Sequence, residues 1–244
     1  MSPYYNKPSL SIIVIENMEE VLDTQDLMQR LPKYHTISAC ARRNSGKSTI
    51  LGELMQELLK AKRVDMVVVM TGSAGLGNGD YSFLPPQLVI PFNEKLLAQM
   101  WERQKKTPPE KRQHLLVVID DALATPEAIN NPTINTIFSL GRHAFVSCWI
   151  SSQHTKSLLS PLIKGNSDLI LFSKLSRMNL EAVFECTTHI ARKDFIRICE
   201  NLGGHDWNFV VLDNYKQTTD PAEYLTIVRA KPPVKDKKDK KGDN

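Results

Sequence analysis

Residues 34–60 of the 244-residue chain run YHTISACARRNSGKSTILGELMQELLK and hold its strongest local motif. The mostly apolar run Tyr34–Cys40 predicts a buried strand, and Ala41–Ser48 predicts a loop. From Lys47 to Lys62 the leucines and isoleucines recur at helical spacing, which predicts a helix. A strand, a loop with Gly-Lys-Ser and a helix in this order form the context of a phosphate-binding loop.

The loop residue types suit a triphosphate. Backbone N–H groups at the start of a helix can surround phosphate oxygens, and the helix dipole favours the negative charge. We expect Lys47 to reach the β- and γ-phosphates and Ser48 to ligate Mg²⁺. The motif usually begins with glycine five residues before Gly46, where this chain has Ala41, and alanine serves there if its φ is negative. The predicted nucleotide-binding residues are Ala41, Asn44, Ser45, Gly46, Lys47, Ser48 and Thr49.

A second apolar run, His114–Asp120, ends in two adjacent carboxylates. Ligands of open α/β sheets bind at the carboxyl ends of the strands, where these residues would lie. Asp120 is predicted to hold Mg²⁺ directly or through water, and Asp121 to polarise the attacking water. A strand that ends in a solvated Asp-Asp turn is common, but together with Gly-Lys-Ser the pattern indicates nucleoside triphosphate hydrolysis.

Two further polar residues flank the next apolar strand, Ala144–Ser152. If this strand lies between the phosphate-loop strand and the Asp120 strand, Gln153 faces the γ-phosphate; otherwise Gln153 is a polar strand end. Arg142 precedes the same strand, and its planar guanidinium could bridge phosphoryl oxygens of a neighbouring subunit as an arginine finger. The alternative for Arg142 is a favourable interaction with a helix C-terminus.

Apolar strands alternate with helices along the chain, which predicts an α/β fold with a mostly parallel central sheet and helices on both faces. We expect one domain over residues 1–230, with a core at 34–175 and a C-terminal extension at 176–230. Residues 231–244 hold six Lys and three Asp and are predicted to form a disordered basic tail. Other predicted elements are a strand at Ser9–Glu16, helices at Met18–Gln29, Pro126–Leu140 and Thr155–Ile163, and late strands at Trp207–Leu212 and Tyr224–Arg229.

Composition excludes several classes of protein. Hydrophobic residues make up 41% and charged residues 24%, which is typical of a globular domain rather than a disordered chain or a coiled coil. Of the net charge of +4, the tail carries +3, so the body is no polycation. The four cysteines form no CxxC pair, and no apolar run approaches the roughly 18–20 residues that span a bilayer. We expect an intracellular protein with reduced thiols and no membrane partner.

Together these motifs resemble the FtsK/HerA superfamily of P-loop ATPases, over residues 34–175. The stretch GRHAFVSCWISSQHTKSLLSPLIKGNSDLILF, Gly141–Phe172, looks like that family's Arg–strand–Gln block. The genome-packaging ATPases of poxviruses, giant viruses and virophages, the Sputnik-type virophage enzymes above all, are most similar. Many members carry Glu where this chain has Asp121.

The resemblance implies a RecA-like fold of the ASCE type, with ATP and Mg²⁺ bound between subunits of a ring, six by expectation. It implies movement of double-stranded DNA without sequence preference and Arg142 reaching into a neighbour's site. Capsid proteins are expected partners. The expected location is the host cytoplasm, in a viral factory or with the virion.

Two other functions fit the motifs. A P-loop kinase for a small molecule would need lid arginines, for which Arg177, Arg192 and Arg197 are candidates. A nucleotide-stabilised assembly protein would bind ATP without turnover, and Ala41 and Asp121 are the departures that would suit it.

Overall fold

The computed structural model describes residues 21–74, 79–121, 128, 131–186, 190–202, 206–216, 218 and 220–231. The predicted strand Ser9–Glu16 lies outside these residues, and so does the predicted tail apart from Lys231.

Within the described residues, nine strands form one central sheet, in the order β1-β9-β8-β7-β2-β6-β5-β3-β4. In its parallel centre, β7-β2-β6-β5-β3, β6 lies between β2, the strand before the phosphate loop, and β5, the strand that leads into Asp120 and Asp121. The pairs β7–β8 and β8–β9 are antiparallel, so the sheet is mixed and mostly parallel, as expected. The strands are β1 (Val21–Leu22), β2 (Thr36–Ala41), β3 (Met66–Thr71), β4 (Val89–Ile90), β5 (Leu115–Asp120), β6 (Val146–Ser152), β7 (Leu169–Ser173), β8 (Asn208–Asp213) and β9 (Leu225–Arg229).

Helices cover both faces of the sheet, because alternate side chains of the central strands enter two separate cores. In β5, Val117 and Ile119 belong to one core and Leu116 and Val118 to the other. Strands buried on both faces need continuous apolar runs, which is why they were visible in the sequence. The helices are α1 (Thr24–Arg30), α2 (Lys47–Lys60), α3 (Glu94–Lys106), α4 (Pro132–Leu140), α5 (Thr155–Leu158), α6 (Pro161–Asn166), α7 (Arg177–Phe184), α8 (Arg192–Leu202) and α9 (Pro221–Tyr224).

The prediction of a helix over Met18–Gln29 was wrong at its start. Val21–Leu22 forms a strand that pairs in parallel with β9, and the helix begins only at Thr24. Asp23 fixes that start through a capping box. Its side chain accepts the Asp26 N–H, and its own backbone N–H donates to the Asp26 carboxylate.

Two other predicted helices have different bounds. Thr155–Ile163 is interrupted, since α5 ends at Leu158 and Ser160 caps a new helix that begins at Pro161. In the predicted helix Pro126–Leu140, regular helix begins at Pro132 with Asn131 as its cap. Residues 122–127 and 129–130 lie outside the described residues.

Among the helices in the described part of the chain, none has both the length and the apolar character needed to cross a membrane.

Candidate functional site

The phosphate loop joins β2 to α2, and two of its residues have left-handed backbone. Gly46 caps the helix with φ +86°, and Asn44 has φ +59°. The Ser45 hydroxyl donates to the Arg42 carbonyl at 2.6 Å, which holds the turn that precedes them. Ala41 is the last residue of β2, buried and paired with Ser173, so it has extended backbone and no glycine is required there.

A cleft of about 660 Å³ opens over this loop at the carboxyl edge of the parallel strands. Most of the predicted site residues meet there, whereas Ala41 and Arg142 do not line it. The lining residues are Arg42, Arg43, Asn44, Ser45, Gly46, Lys47, Ser48, Thr49, Thr71, Ser73, Asp80, Asp120, Asp121, Gln153 and Trp207.

The two carboxylates are held in place from the neighbouring strand. β6 lies between β2 and β5, the arrangement on which the prediction for Gln153 depended. The buried Ser151 hydroxyl donates to Asp120 Oδ1 and accepts the Asp121 N–H at 3.0 Å. Gln153 Nε2 donates to the Asp121 carboxylate at 3.3 Å and 3.4 Å. Asp121 has φ +55°, a left-handed conformation that is strained for a residue with a side chain.

Lys47 faces the same carboxylate from the loop. Its Nζ lies 3.9 Å from Asp121 Oδ1, and the lysine side chain is 8% exposed against 42% for the aspartate. Lys47, Asp121 and Gln153 therefore surround one point of the cleft, where a terminal phosphate and a water could meet.

The lining charges cancel: Arg42, Arg43 and Lys47 against three aspartates. A triphosphate therefore needs an added cation, and the oxygens available suit one. Ser48, Asp80 and Asp120 offer hydroxyl and carboxylate oxygens, the ligands that Mg²⁺ prefers. These residues fit the predicted Mg²⁺.

Besides Arg42 and Arg43 inside the loop, four lining residues were missed in the sequence. Thr71 ends β3, Ser73 follows it, and Asp80 accepts the Thr49 hydroxyl at 2.7 Å. The glycine-rich segment Thr71–Asp80 has no Gly-Lys-Ser and predicts a flexible surface loop, with a pore loop as the alternative, yet these three residues line the cleft. Residues 75–78 lie outside the described part. The fourth is Trp207, immediately before β8, for which no local motif exists.

Tyr81, the residue after Asp80, is buried. Burial, and then the negative charge of Asp120, raise the pKa of Tyr81 well above its usual value of 10. Its phenol therefore stays protonated and adds no negative charge near Asp120.

Arg142 lies at the opposite edge of the sheet. It sits in the 3₁₀ turn Gly141–Ala144 that leads into β6, and its side chain is exposed. Burial raises the pKa of Asp168, which precedes β7 at that same edge, and the positive charge of Arg142 opposes this rise. Arg142 therefore does not reach the cleft of its own chain, and its predicted role in a neighbour's site stays a prediction.

The candidate lid arginines of a kinase do not line the cleft either. Arg177 and Arg192 begin α7 and α8, and Arg192 is paired with Glu181.

No protein-family model matches the chain. Over 135 residues, 52% of the chain, it is 33% identical to the uncharacterized protein 015R of Frog virus 3 (isolate Goorha). The chain covers 40% of the length of that curated relative.

Among solved structures, the chain is similar to the genome packaging NTPase B204 of Sulfolobus turreted icosahedral virus 2 bound to ATPγS. The TM-score is 0.59 at 18% identity, over 83% of this chain and 99% of that one. It is also similar to the conjugation coupling protein TcpA of pCW3 with ATPγS, with a TM-score of 0.57 at 16% identity, over 81% and 60% of the two chains. For the cytoplasmic domain of the type VII secretion ATPase EccC of Thermomonospora curvata the TM-score is 0.51 at 17% identity, over 81% and 25%. The chain thus has the α/β fold of ASCE-type P-loop NTPases, as the sequence predicted.

Proposed function

We propose that this chain is an Mg²⁺-dependent ATP hydrolase that moves double-stranded DNA, and that it packages a viral genome into a capsid. The observation that carries the proposal is the convergence of Lys47, Asp121 and Gln153 on one point of the phosphate-loop cleft. A site for phosphate binding alone would not need a carboxylate and an amide held opposite the lysine.

In this proposal each residue has a separate task. The N–H groups of the loop and Lys47 bind the β- and γ-phosphates, and Ser48 and Asp120 hold the cation. Mg²⁺ supplies positive charge that offsets the phosphate oxygens. Asp121 accepts a proton from the water that attacks the γ-phosphorus, and Gln153 orients both the carboxylate and the water. The bond between the γ-phosphorus and the β–γ bridging oxygen breaks, and ADP leaves with that oxygen.

We propose that the working form is a ring, six subunits by expectation, around the DNA. The exposed position of Arg142 supports this proposal, since from the opposite end of β6 an arginine finger could contact nucleotide only in the cleft of a second subunit. DNA would be held through its phosphates, without sequence preference and with a steep dependence on salt. Residues 1–230 would form the motor domain and residues 231–244 a basic tail that contacts DNA or an acidic capsid surface.

The relatives support the viral part of the proposal. B204 is named a genome packaging NTPase, and the curated relative comes from a virus. We propose a packaging ATPase of the virophage type that acts in the host cytoplasm, in the viral factory or at the virion.

The first test is steady-state Mg-ATP hydrolysis with and without long duplex DNA. We expect DNA to stimulate the wild type, and Lys47→Ala and Arg142→Ala each to lose about 10³-fold or more. Lys60→Ala at the other end of α2 and Arg30→Ala, an exposed arginine that ends α1, are matched controls with activity near wild type.

Mixing the two inactive variants tests the shared site. If Arg142 acts on a neighbour's cleft, a mixed ring contains some clefts with both residues intact, so activity returns on mixing. Absence of recovery would contradict the role in trans. ATP binding without hydrolysis under every DNA condition would favour the nucleotide-stabilised assembly protein. Phosphate transfer to a metabolite without stimulation by DNA would favour the small-molecule kinase.

A further inference from the structure

The indole of Trp207 lies directly on the phosphate loop. A methyl group added at Gly46 would come within 2.4 Å of Trp207 Cε3 and 2.6 Å of Cζ3. Trp207 itself has φ +67°, and its carbonyl accepts the Ala230 N–H at 2.9 Å. The ring is half-buried and forms one wall of the cleft. A strained backbone that sets a large aromatic ring beside a binding loop is more typical of a functional site than of ordinary packing.

The cleft has two chemically different ends. Asp120, Asp121 and Gln153 come from β5 and β6 on one side of β2. In the proposed function they surround the γ-phosphate, so the nucleoside must extend toward the other side of β2, where β7 and β8 lie. Of the cleft lining, Trp207 is the residue contributed by that side, since it directly precedes β8.

A second hollow of about 280 Å³ adjoins the cleft on this side and shares Arg42 with it. Phe172 of β7, Leu175 and Leu180 give it apolar walls, and Lys174 and Glu200 line it as well. The lining therefore changes from the carboxylates at one end of the cleft to the Trp207 indole and a partly apolar hollow at the other. A nucleotide has the same polarity, from its phosphates to its planar base.

We propose that Trp207 is the nucleoside-binding residue of this site, and that its indole stacks against the base of the nucleotide whose phosphates occupy the loop. The inference rests on the proposed function for the position of the phosphates. Every base has a π-face, so stacking gives affinity with little selectivity. The site should therefore accept nucleoside triphosphates with little preference for the base.

The test compares ATP with inorganic tripolyphosphate, which has the phosphates and no base, by calorimetric titration with Mg²⁺. We expect Trp207→Ala to weaken ATP binding about 10-fold or more and to leave tripolyphosphate binding within about 2-fold. Trp207→Phe keeps an aromatic face and should stay within about 3-fold of wild type for both. Tyr215→Ala is a matched control, because that exposed aromatic follows the far end of β8.

The outcomes separate the two proposals. Equal loss for ATP and tripolyphosphate in Trp207→Ala would mean that the ring only braces Gly46, and would overturn the inference while leaving the phosphate site intact. Unchanged ATP binding would overturn it as well. Failure of the wild type to bind either ligand would overturn the proposed function, and this inference with it.

Discussion

Replacing Ser151 with alanine should destabilise the protein and weaken the cation site together, because one hydroxyl serves both carboxylates. Ser151 is fully buried, donates to Asp120 Oδ1 and accepts the Asp121 N–H at 3.0 Å. A hydrogen bond to a charged group contributes about 1.5–3 kcal/mol, and an unsatisfied buried N–H costs about 1–3 kcal/mol. Since Asp121 is partly exposed, its N–H should lie at the low end, and we expect a loss of about 2–4 kcal/mol in the free energy of unfolding.

Ser173→Ala is the matched control for this change. Ser173 is also buried at the carboxyl end of a strand, but its hydroxyl has no hydrogen-bond partner within the described residues. Its removal breaks no hydrogen bond and takes away an unpaired buried hydroxyl, so Ser173→Ala should not lower the unfolding free energy. Urea denaturation followed by circular dichroism measures both variants.

The second measurement is the Mg²⁺ concentration that gives half-maximal ATP hydrolysis. Loss of a hydrogen bond that orients a metal ligand typically weakens metal affinity about 10- to 100-fold, so Ser151→Ala should raise this concentration at least 10-fold. If Ser151→Ala loses no more stability than Ser173→Ala and keeps the wild-type Mg²⁺ requirement, Ser151 does not position Asp120 and the reasoning fails.

Two further predictions concern folding. Burial lowers the pKa of His35 to about 3, so between about pH 6 and pH 4 the unfolded chain binds a proton that the folded chain does not. His35 should therefore lower the free energy of unfolding by about 1.4 kcal/mol for each unit that the pH falls in this range. His35→Asn should reduce this dependence in urea titrations at several pH values, and equal slopes for the two proteins would contradict the prediction. A methyl group at Gly52 would lie 2.7 Å from the Asp80 carbonyl oxygen, so Gly52→Ala should lower the free energy of unfolding by about 1–3 kcal/mol. Gly165 has open space around it, so Gly165→Ala should stabilise its helix by up to about 1 kcal/mol. Thermal melting compares the two variants, and a stabilised Gly52→Ala would refute the close contact.

The parallel centre of the fold could be predicted because its strands carry the signal locally. β2, β5 and β6 are apolar on both faces, and each was located within two residues of its observed start. The position of β6 between β2 and β5 was a condition of the prediction for Gln153 and not itself a prediction, because the residues do not fix the strand order. The phosphate loop was visible because glycine, lysine and serine must be adjacent in the sequence to act together.

Features that depend on distant pairing could not be predicted. Val21–Leu22 is a strand only because β9, two hundred residues later, offers it an edge. Asp80 hydrogen-bonds to Thr49, and the Trp207 ring packs against Gly46. No sequence motif around Asp80 or Trp207 predicts these contacts with the phosphate loop. Arg142 is close to the site in sequence but not in space, because it lies at the start of β6 and the cleft lies at its end. The seven residues of β6, at about 3.3 Å each, separate the two by roughly 23 Å.

The reversal of direction between β7 and β8 has a consequence for how this sheet can change. β7 ends, and β8 begins, at the cleft edge, because the two strands are antiparallel. The helical segment between them therefore leaves and returns at the same edge, and its length is free to vary without displacing Trp207. One further strand between the end of β7 and residue 207 would instead bring the chain to the opposite edge of the sheet, about 20 Å away across the six residues of β8.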